Sequence, residues 1–248
     1  INLHGDIQIR SIDYSIDGID DDFGDITQEH EYFFLNPKFG VNYSPDSRNR
    51  AYFSFSIANR EPNRGNFVDA DPNEPLPRPE KLMDYEAGYQ YRSDRFSGNI
   101  NLYFMDYKDQ LVLAGEINDV GNPVMTNVKD SYRAGIELIS GYRFADWLKW
   151  DGNITFSRNI IQDMTAYIDN WDYWENPDEN PIQYTENYES TDIAFSPEVI
   201  AGSLIEIKPI ENFVVEFQSK YVGKQYIDNT SSENRKLNPW FINDIRMN

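Results

Sequence analysis

The chain has 248 residues, a formal net charge of −20, 15% aromatic residues and no cysteine. The negative balance excludes a nucleic-acid partner, because such a binder needs a basic face to release counterions from phosphates. The missing thiols exclude a disulfide framework and a thiolate metal centre, and the only two histidines, His4 and His30, lie far apart and argue against a zinc site. No apolar run approaches the ~20 residues of a spanning helix. A barrel is still allowed, because each of its strands shows lipid only at every second residue. The first residues, Ile1 and Asn2, carry neither an initiating Met nor the basic region and apolar core of a signal segment, so the sequence reads as a piece of something longer.

Period-two alternation predicts ten strands, over 3–12, 30–44, 49–61, 80–93, 96–109, 129–143, 147–161, 196–208, 212–225 and 238–248. The first is weak: Ile7 and Ile9 alternate, but His4 and Gly5 blur its start. On 80–93, Met83, Tyr85, Ala87, Tyr89 and Tyr91 share one face, and Asp84, Glu86, Gln90 and Arg92 the other. On 96–109, Phe96, Gly98, Ile100, Leu102 and Phe104 oppose Ser97, Asn99 and Asn101. On 129–143, Tyr132, Ala134, Ile136, Leu138 and Tyr142 oppose Arg133, Glu137 and Arg143; on 147–161, Leu148, Trp150, Ile154 and Phe156 oppose Lys149, Asp151, Asn153, Thr155 and Ser157. Strand 196–208 is less clean, with Ile200 and Leu204 on the face of Glu198 and Glu206.

Many of these strands exceed the ~5–6 residues usual in soluble sheets and match the ~9–11 of a tilted strand crossing a bilayer. Short turns, at Ser44–Asn49, Ser93–Arg95, Arg143–Asp146 and Pro209–Glu211, alternate with long polar loops at 13–29, 62–79, 110–128, 162–195 and 226–237. Hairpins of a membrane barrel produce this alternation. A two-sheet soluble domain also alternates inside and outside residues, but it mixes loop lengths and uses crossing connections. The aromatic residues lie toward the strand ends, where headgroups would be, and the opposite face carries charges that a dry core would not hold unpaired. The fold class expected over 1–248 is all-β, an antiparallel transmembrane barrel built as a meander of long hairpins.

The run from Phe33 to Asp71, FFLNPKFGVNYSPDSRNRAYFSFSIANREPNRGNFVDAD, resembles the strand–turn–strand unit in the barrels of TonB-dependent receptors of the Bacteroidetes type, with its NPKFG, its short turn, and S.A.REPNR before an acidic loop. The next unit resembles the family through P.PE....YE.GY.Y, then MDY.DQLV, then N...SYR.GIE. The resemblance runs from about residue 30 onward and leaves 1–29 aside. It implies a plug inside an outer-membrane barrel of ~22 strands, of which this chain is an incomplete fragment of about ten strands, with the plug and the final strand absent. It also implies the partners: outer-membrane lipid, the TonB complex through the missing plug, and a small-molecule or metal-chelate ligand. The expected function is active import of a scarce solute, a ferric siderophore before cobalamin or a glycan, at the bacterial outer membrane.

Two rivals stay open. One is a secreted soluble β-sandwich that binds carbohydrate through Trp171, Tyr173 and Trp174. The other is a passive porin or adhesin barrel. Candidate ligand residues in external loops are Arg60 and Arg64 in NREPNR, whose guanidinium forks suit carboxylates, and Trp171, Tyr173 and Trp174 in the loop Asp169 to Asn187. The bland readings are structural ion pairs with the acidic loop Asp69 to Glu74, and a solvated loop whose aromatics pack on one another. The acids of the 169–187 loop could hold a calcium ion, whereas the run Asp20, Asp21, Asp22 and Asp25 lacks the ordered spacing of a calcium loop. Glu29, His30 and Glu31 read as edge polarity. No nucleophile elbow, phosphate loop or dinucleotide motif is present, so neither catalytic residues nor a cofactor are expected.

Overall fold

The computed structural model describes residues 1–19, 24–70, 75–118 and 121–248. Asp20, Asp21 and Asp22, and part of the 69–74 loop, lie outside the described residues. The strands are β1 (Asn2–Ile16), β2 (Gln28–Tyr43), β3 (Asn49–Arg60), β4 (Glu80–Arg92), β5 (Phe96–Ile117), β6 (Pro123–Ala145), β7 (Leu148–Asp169), β8 (Gln183–Asp192), β9 (Val199–Ile210), β10 (Phe213–Val222), β11 (Gln225–Tyr226), β12 (Lys236–Leu237) and β13 (Trp240–Met247). All ten expected strands are present, in one antiparallel meander ordered β1-β2-β3-β4-β5-β6-β7-β9-β10-β13. The sheet does not close on itself, so β1 and β13 are its edges.

The short turns fall where the sequence puts them. Asp46 accepts hydrogen bonds from the backbone N–H groups of Arg48 and Asn49 at 2.7 and 2.8 Å and fixes the β2–β3 turn. Ser93 closes the β4–β5 turn by accepting from Phe96 N at 3.1 Å. Two of the long loops are not loops. Residues 110–117 and 123–128 extend β5 and β6, and most of 162–195 is the upper part of β7 with β8 paired to it. The ladder wins there because Leu111, Val112, Leu113, Val124 and Val128 supply apolar contacts within a polar stretch. β8 and β9 both pair with β7, and residues 193–198 interrupt what would otherwise be one long strand.

The register places apolar residues in rows across the sheet. One row runs Leu3, Val41, Phe53, Ala87, Leu102, Ile136, Phe156 and Val199. It is not buried: Leu3 is 65% exposed, Phe53 41%, Leu102 46% and Phe156 47%. No second layer of protein covers it among the described residues. Aromatic rows bound this band. Tyr91, Phe96 and Tyr142 stand side by side near the short turns, and Phe55, Tyr85, Phe104 and Tyr132 toward the other end. Eight residues separate Phe96 from Phe104, which at ~3.3 Å per residue and ~40° tilt is about 20 Å. A monomer in water rarely exposes an apolar patch this broad. Hydrocarbon is the solvent that suits it, with the ring edges at the headgroups.

The packed core lies outside that band. Val112, Ala114, Val128, Ile161, Met164, Ala166 and Ile193 form it, with Tyr167 and Tyr188 against it. It joins the far ends of β5 and β6 to the β7–β8 hairpin. Gly115, at φ +86°, bends the end of β5 over β7, where a Cβ would strike the backbone carbonyl of Tyr167. Gln183 locks this crossing by donating to Gly115 O at 2.8 Å and accepting from Ile117 N at 3.2 Å.

Candidate functional site: the polar face and the long-loop end

The face opposite the apolar rows is built from cross-strand polar contacts. Tyr52 Oη donates to Asn101 Oδ1 at 2.9 Å, and Asn101 Nδ2 donates to Glu137 Oε2 at 3.3 Å. Tyr52 lies flat across Gly88, where any Cβ would collide with its ring. This glycine lets one phenol span three strands. Arg133 Nη1 donates to Ser196 Oγ at 2.9 Å, and Ser157 Oγ to Pro197 O at 3.1 Å, so the break between β8 and β9 is fastened to this face. Phe195 there takes φ +53° and is 63% exposed. A hollow of about 440 Å³ lies between Glu86, Tyr103, Arg133, Glu137 and Phe195.

Toward the long-loop end of β2, Phe34, Tyr32 and His30 stack in succession at 5.7 and 6.2 Å, and His30 stacks on Phe67 at 3.9 Å. Phe67 belongs to a short helix, α1 (Arg64–Val68), capped by Asn63. Arg10 Nη2 donates to both carboxylate oxygens of Glu61 at 2.8 and 3.0 Å and ties the start of that loop to β1. His30 is therefore a stacking residue and not mere edge polarity. The even spacing of Phe34, Tyr32 and His30 on one strand face was the available signal; the contribution of Phe67 came from a loop with no periodicity to read.

The expected ligand residues occupy separate places. Arg60 is paired across the sheet with Glu80 at 2.8 Å, a partner on β4 and not in the acidic loop. Arg64 opens α1 and is exposed. Trp171, Tyr173 and Trp174 form a single 3-10 turn at the tip of the β7–β8 hairpin, where Trp171 is 79% and Trp174 73% exposed. Tyr173 meets Trp174 edge to face at 5.4 Å. No group of His, Asp and Glu able to hold a metal ion occurs among the described residues.

The sequence reads 226–237 as a polar loop; in the structure this loop is ordered and is framed by the paired β11 and β12. Asn229 accepts from Ala194 N at 2.7 Å and donates to Leu113 O at 2.9 Å, joining this loop to the strand break and to β5. Its ion pairs control one another. Hydrogen bonds from Lys236, Lys224 and Tyr226 hold the Glu233 carboxyl down at about 2, and the Tyr226 hydroxyl with Glu233 holds the Lys224 ammonium above its ordinary value. Burial pushes Asp228 up, but Thr230 and Arg235 outweigh it and leave that carboxyl low. A depressed carboxylate stabilises the fold fully above its unfolded pKa and loses that contribution as the pH falls through the folded one. A raised lysine contributes below its unfolded value of 10.5 and loses that contribution only at higher pH. A spin label at the exposed Asn234 is therefore expected to keep the same mobility from about pH 5 to pH 10 and to loosen as the pH falls from about 4 toward 2.

Comparison with known proteins fits this arrangement. The chain shares its fold with the ferric-catecholate import receptor Fiu from K12 E. coli, at a TM-score of 0.65 and 12% identity, covering 99% of this chain and 35% of that one. It is similar to the siderophore receptor PiuA from Acinetobacter baumannii, at 0.66 and 14%, over 90% of this chain and 30% of that one. The ferric yersiniabactin uptake receptor FyuA from Yersinia pestis follows at 0.60 and 15%, over 89% and 30%. The chain thus spans about a third of the length of these solved receptors. No curated protein matches it in sequence. The family described as TonB dependent receptor-like, beta-barrel matches residues 2–248. A bilayer-sized apolar band, a polar inner face and this match agree: the chain belongs to the TonB-dependent receptor β-barrel family, of the bacterial outer membrane.

Proposed function

We propose that these residues form part of the wall of an outer-membrane receptor that imports a scarce solute with energy delivered through TonB, a ferric siderophore being the favoured cargo. The observation that carries this reading is the family match across nearly every residue. Two of the similar solved receptors are described as acting on ferric siderophores, which supports a metal chelate over cobalamin or a glycan. The NPKFG and REPNR runs support a receptor of the Bacteroidetes type. The family is one of transporters, not enzymes. In this reading a plug elsewhere in the full-length receptor fills the lumen and meets Glu86, Arg133 and Glu137, and Arg60, Arg64, Trp171, Tyr173 and Trp174 contribute to ligand capture outside.

The test is growth of a deletion strain on defined iron, cobalamin and glycan sources. Loss of growth only on chelated iron supports the siderophore reading; loss only on cobalamin or a glycan reassigns the cargo; normal growth on all three removes the import role. In the complemented strain, Trp171→Ala with Trp174→Ala is expected to weaken ligand binding roughly tenfold and leave receptor abundance unchanged. Undiminished binding would return these aromatics to simple loop packing.

A further inference from the structure

The upper half of the β7–β8 hairpin has a hydrogen-bonding edge that none of the described residues occupies. β8 pairs only with β7. The strand that should cover its other side, β10, ends at Val222, and Gly223 N already turns back to Val199 O at 2.8 Å. Among the described residues the following loop hydrogen-bonds to β8 at its lower end, where Asp192 N donates to Ser231 Oγ at 2.7 Å. The ladder is interrupted at Asp163, φ +52°, and above that point Asn170 N donates to Ile182 O at 3.0 Å, which turns the even-numbered residues of the upper half toward β7. By the alternation of an antiparallel ladder the N–H groups of Thr185 and Asn187 therefore point away from β7. Residues 184–187, 189 and 190 are exposed. The unfilled edge from Tyr184 to Ser190 is about 23 Å long. Such a row of free donors and acceptors is a template for strand addition.

Its charge selects the occupant. Residues 162–195 contain nine carboxylates and no lysine or arginine. The nearest cation facing this edge, Arg235, is already paired with Asp228 at 2.9 Å. A second copy of this chain would bring one acidic strand against another, and like charges across a ladder repel. β8 has neither proline nor lysine to blunt its edge, and the charges it does carry, Glu186, Glu189 and Asp192, are all acidic, so they repel a like strand and favour a basic one. We propose that the free edge of β8 is a docking edge for a basic, extended peptide, which adds to the sheet as a further strand above the membrane. The proposal stands apart from the import reading, since it concerns a rim outside the polar lumen.

The test uses the full-length receptor in detergent and a capped ten-residue peptide alternating lysine with threonine. Hydrogen exchange at the amides of Thr185 and Asn187 is expected to slow by about tenfold or more on binding, while those of Tyr184 and Glu186, already turned toward β7, change less. The same peptide N-methylated at alternate residues keeps its charge and loses one bonding edge, and is expected to bind roughly tenfold more weakly. Asn187→Pro removes an outward N–H at an edge position that tolerates proline, and is expected to weaken binding more than Asn187→Ala does. Equal binding of the N-methylated peptide would overturn the proposal, since charge alone would then explain the attraction. So would equal binding of a glutamate–threonine peptide, or unchanged exchange at Thr185 and Asn187. Should the proline variant not fold, the N-methylated peptide still decides.

Discussion

Ile100→Lys is expected to destabilise the barrel wall by about 2–4 kcal/mol, the cost of a cation on the lipid face at the bilayer midplane. Ile100 sits four residues from Phe96 and four from Phe104, midway between the two aromatic rows, and its register partners are Tyr89 and Leu138. A lysine there has no carboxylate among its register partners, and the Tyr89 hydroxyl beside it is already donating to Asn49. Asn101→Lys, one residue on, points the same charge to the opposite face. That change removes the acceptor of Tyr52 and costs about 1 kcal/mol for the lost bond, but the ammonium then stands beside Glu137. Urea unfolding of the full-length receptor in lipid vesicles measures both. The gap between the two variants is the informative quantity, and equal costs would mean that the faces are misassigned.

Ile161→Ala is expected to cost about 2–4 kcal/mol, because it empties a site with no slack around it. Ile161 has 0% exposure and Met164 1%, the most enclosed side chains of the external core. The loss should be local. Hydrogen exchange is expected to accelerate in 110–128 and 160–193, whose strand ends this core holds together, and to stay unchanged in the rows between the aromatic belts, which rely on lipid. Acceleration throughout would show that the external cap and the membrane-spanning wall unfold as one unit.

The part of this fold that lipid dictates was readable in advance. Alternation on 80–93, 96–109, 129–143 and 147–161 gave the faces because the two solvents differ so sharply that every second residue must declare itself. The part above the membrane was not. There no lipid enforces a two-faced pattern, so the 162–195 stretch needs no strict period, and β8 was hidden in QYTENYESTD, whose polarity reads as loop. The same polarity made 110–128 look irregular, although Leu111 to Ala114 were enough to extend a hairpin once Ile161 and Met164 lay opposite. The candidate residues Trp171, Tyr173 and Trp174 were legible as a cluster, and they do share one turn. The contacts that position loops, such as Asn229 reaching Leu113 across 116 residues, leave no mark in the sequence that a local reading can find.

β5, β6 and β7 are 22, 23 and 22 residues long. At ~3.3 Å per residue and ~40° tilt each rises about 55 Å, of which hydrocarbon accounts for about 25 Å. Bilayer thickness therefore does not set the height of this wall. A thinner or thicker membrane shifts the waterline along rows of rings that tolerate either environment, and the stiff rim above keeps its shape. The surfaces that meet solutes outside are in that sense mechanically insulated from the composition of the lipid below.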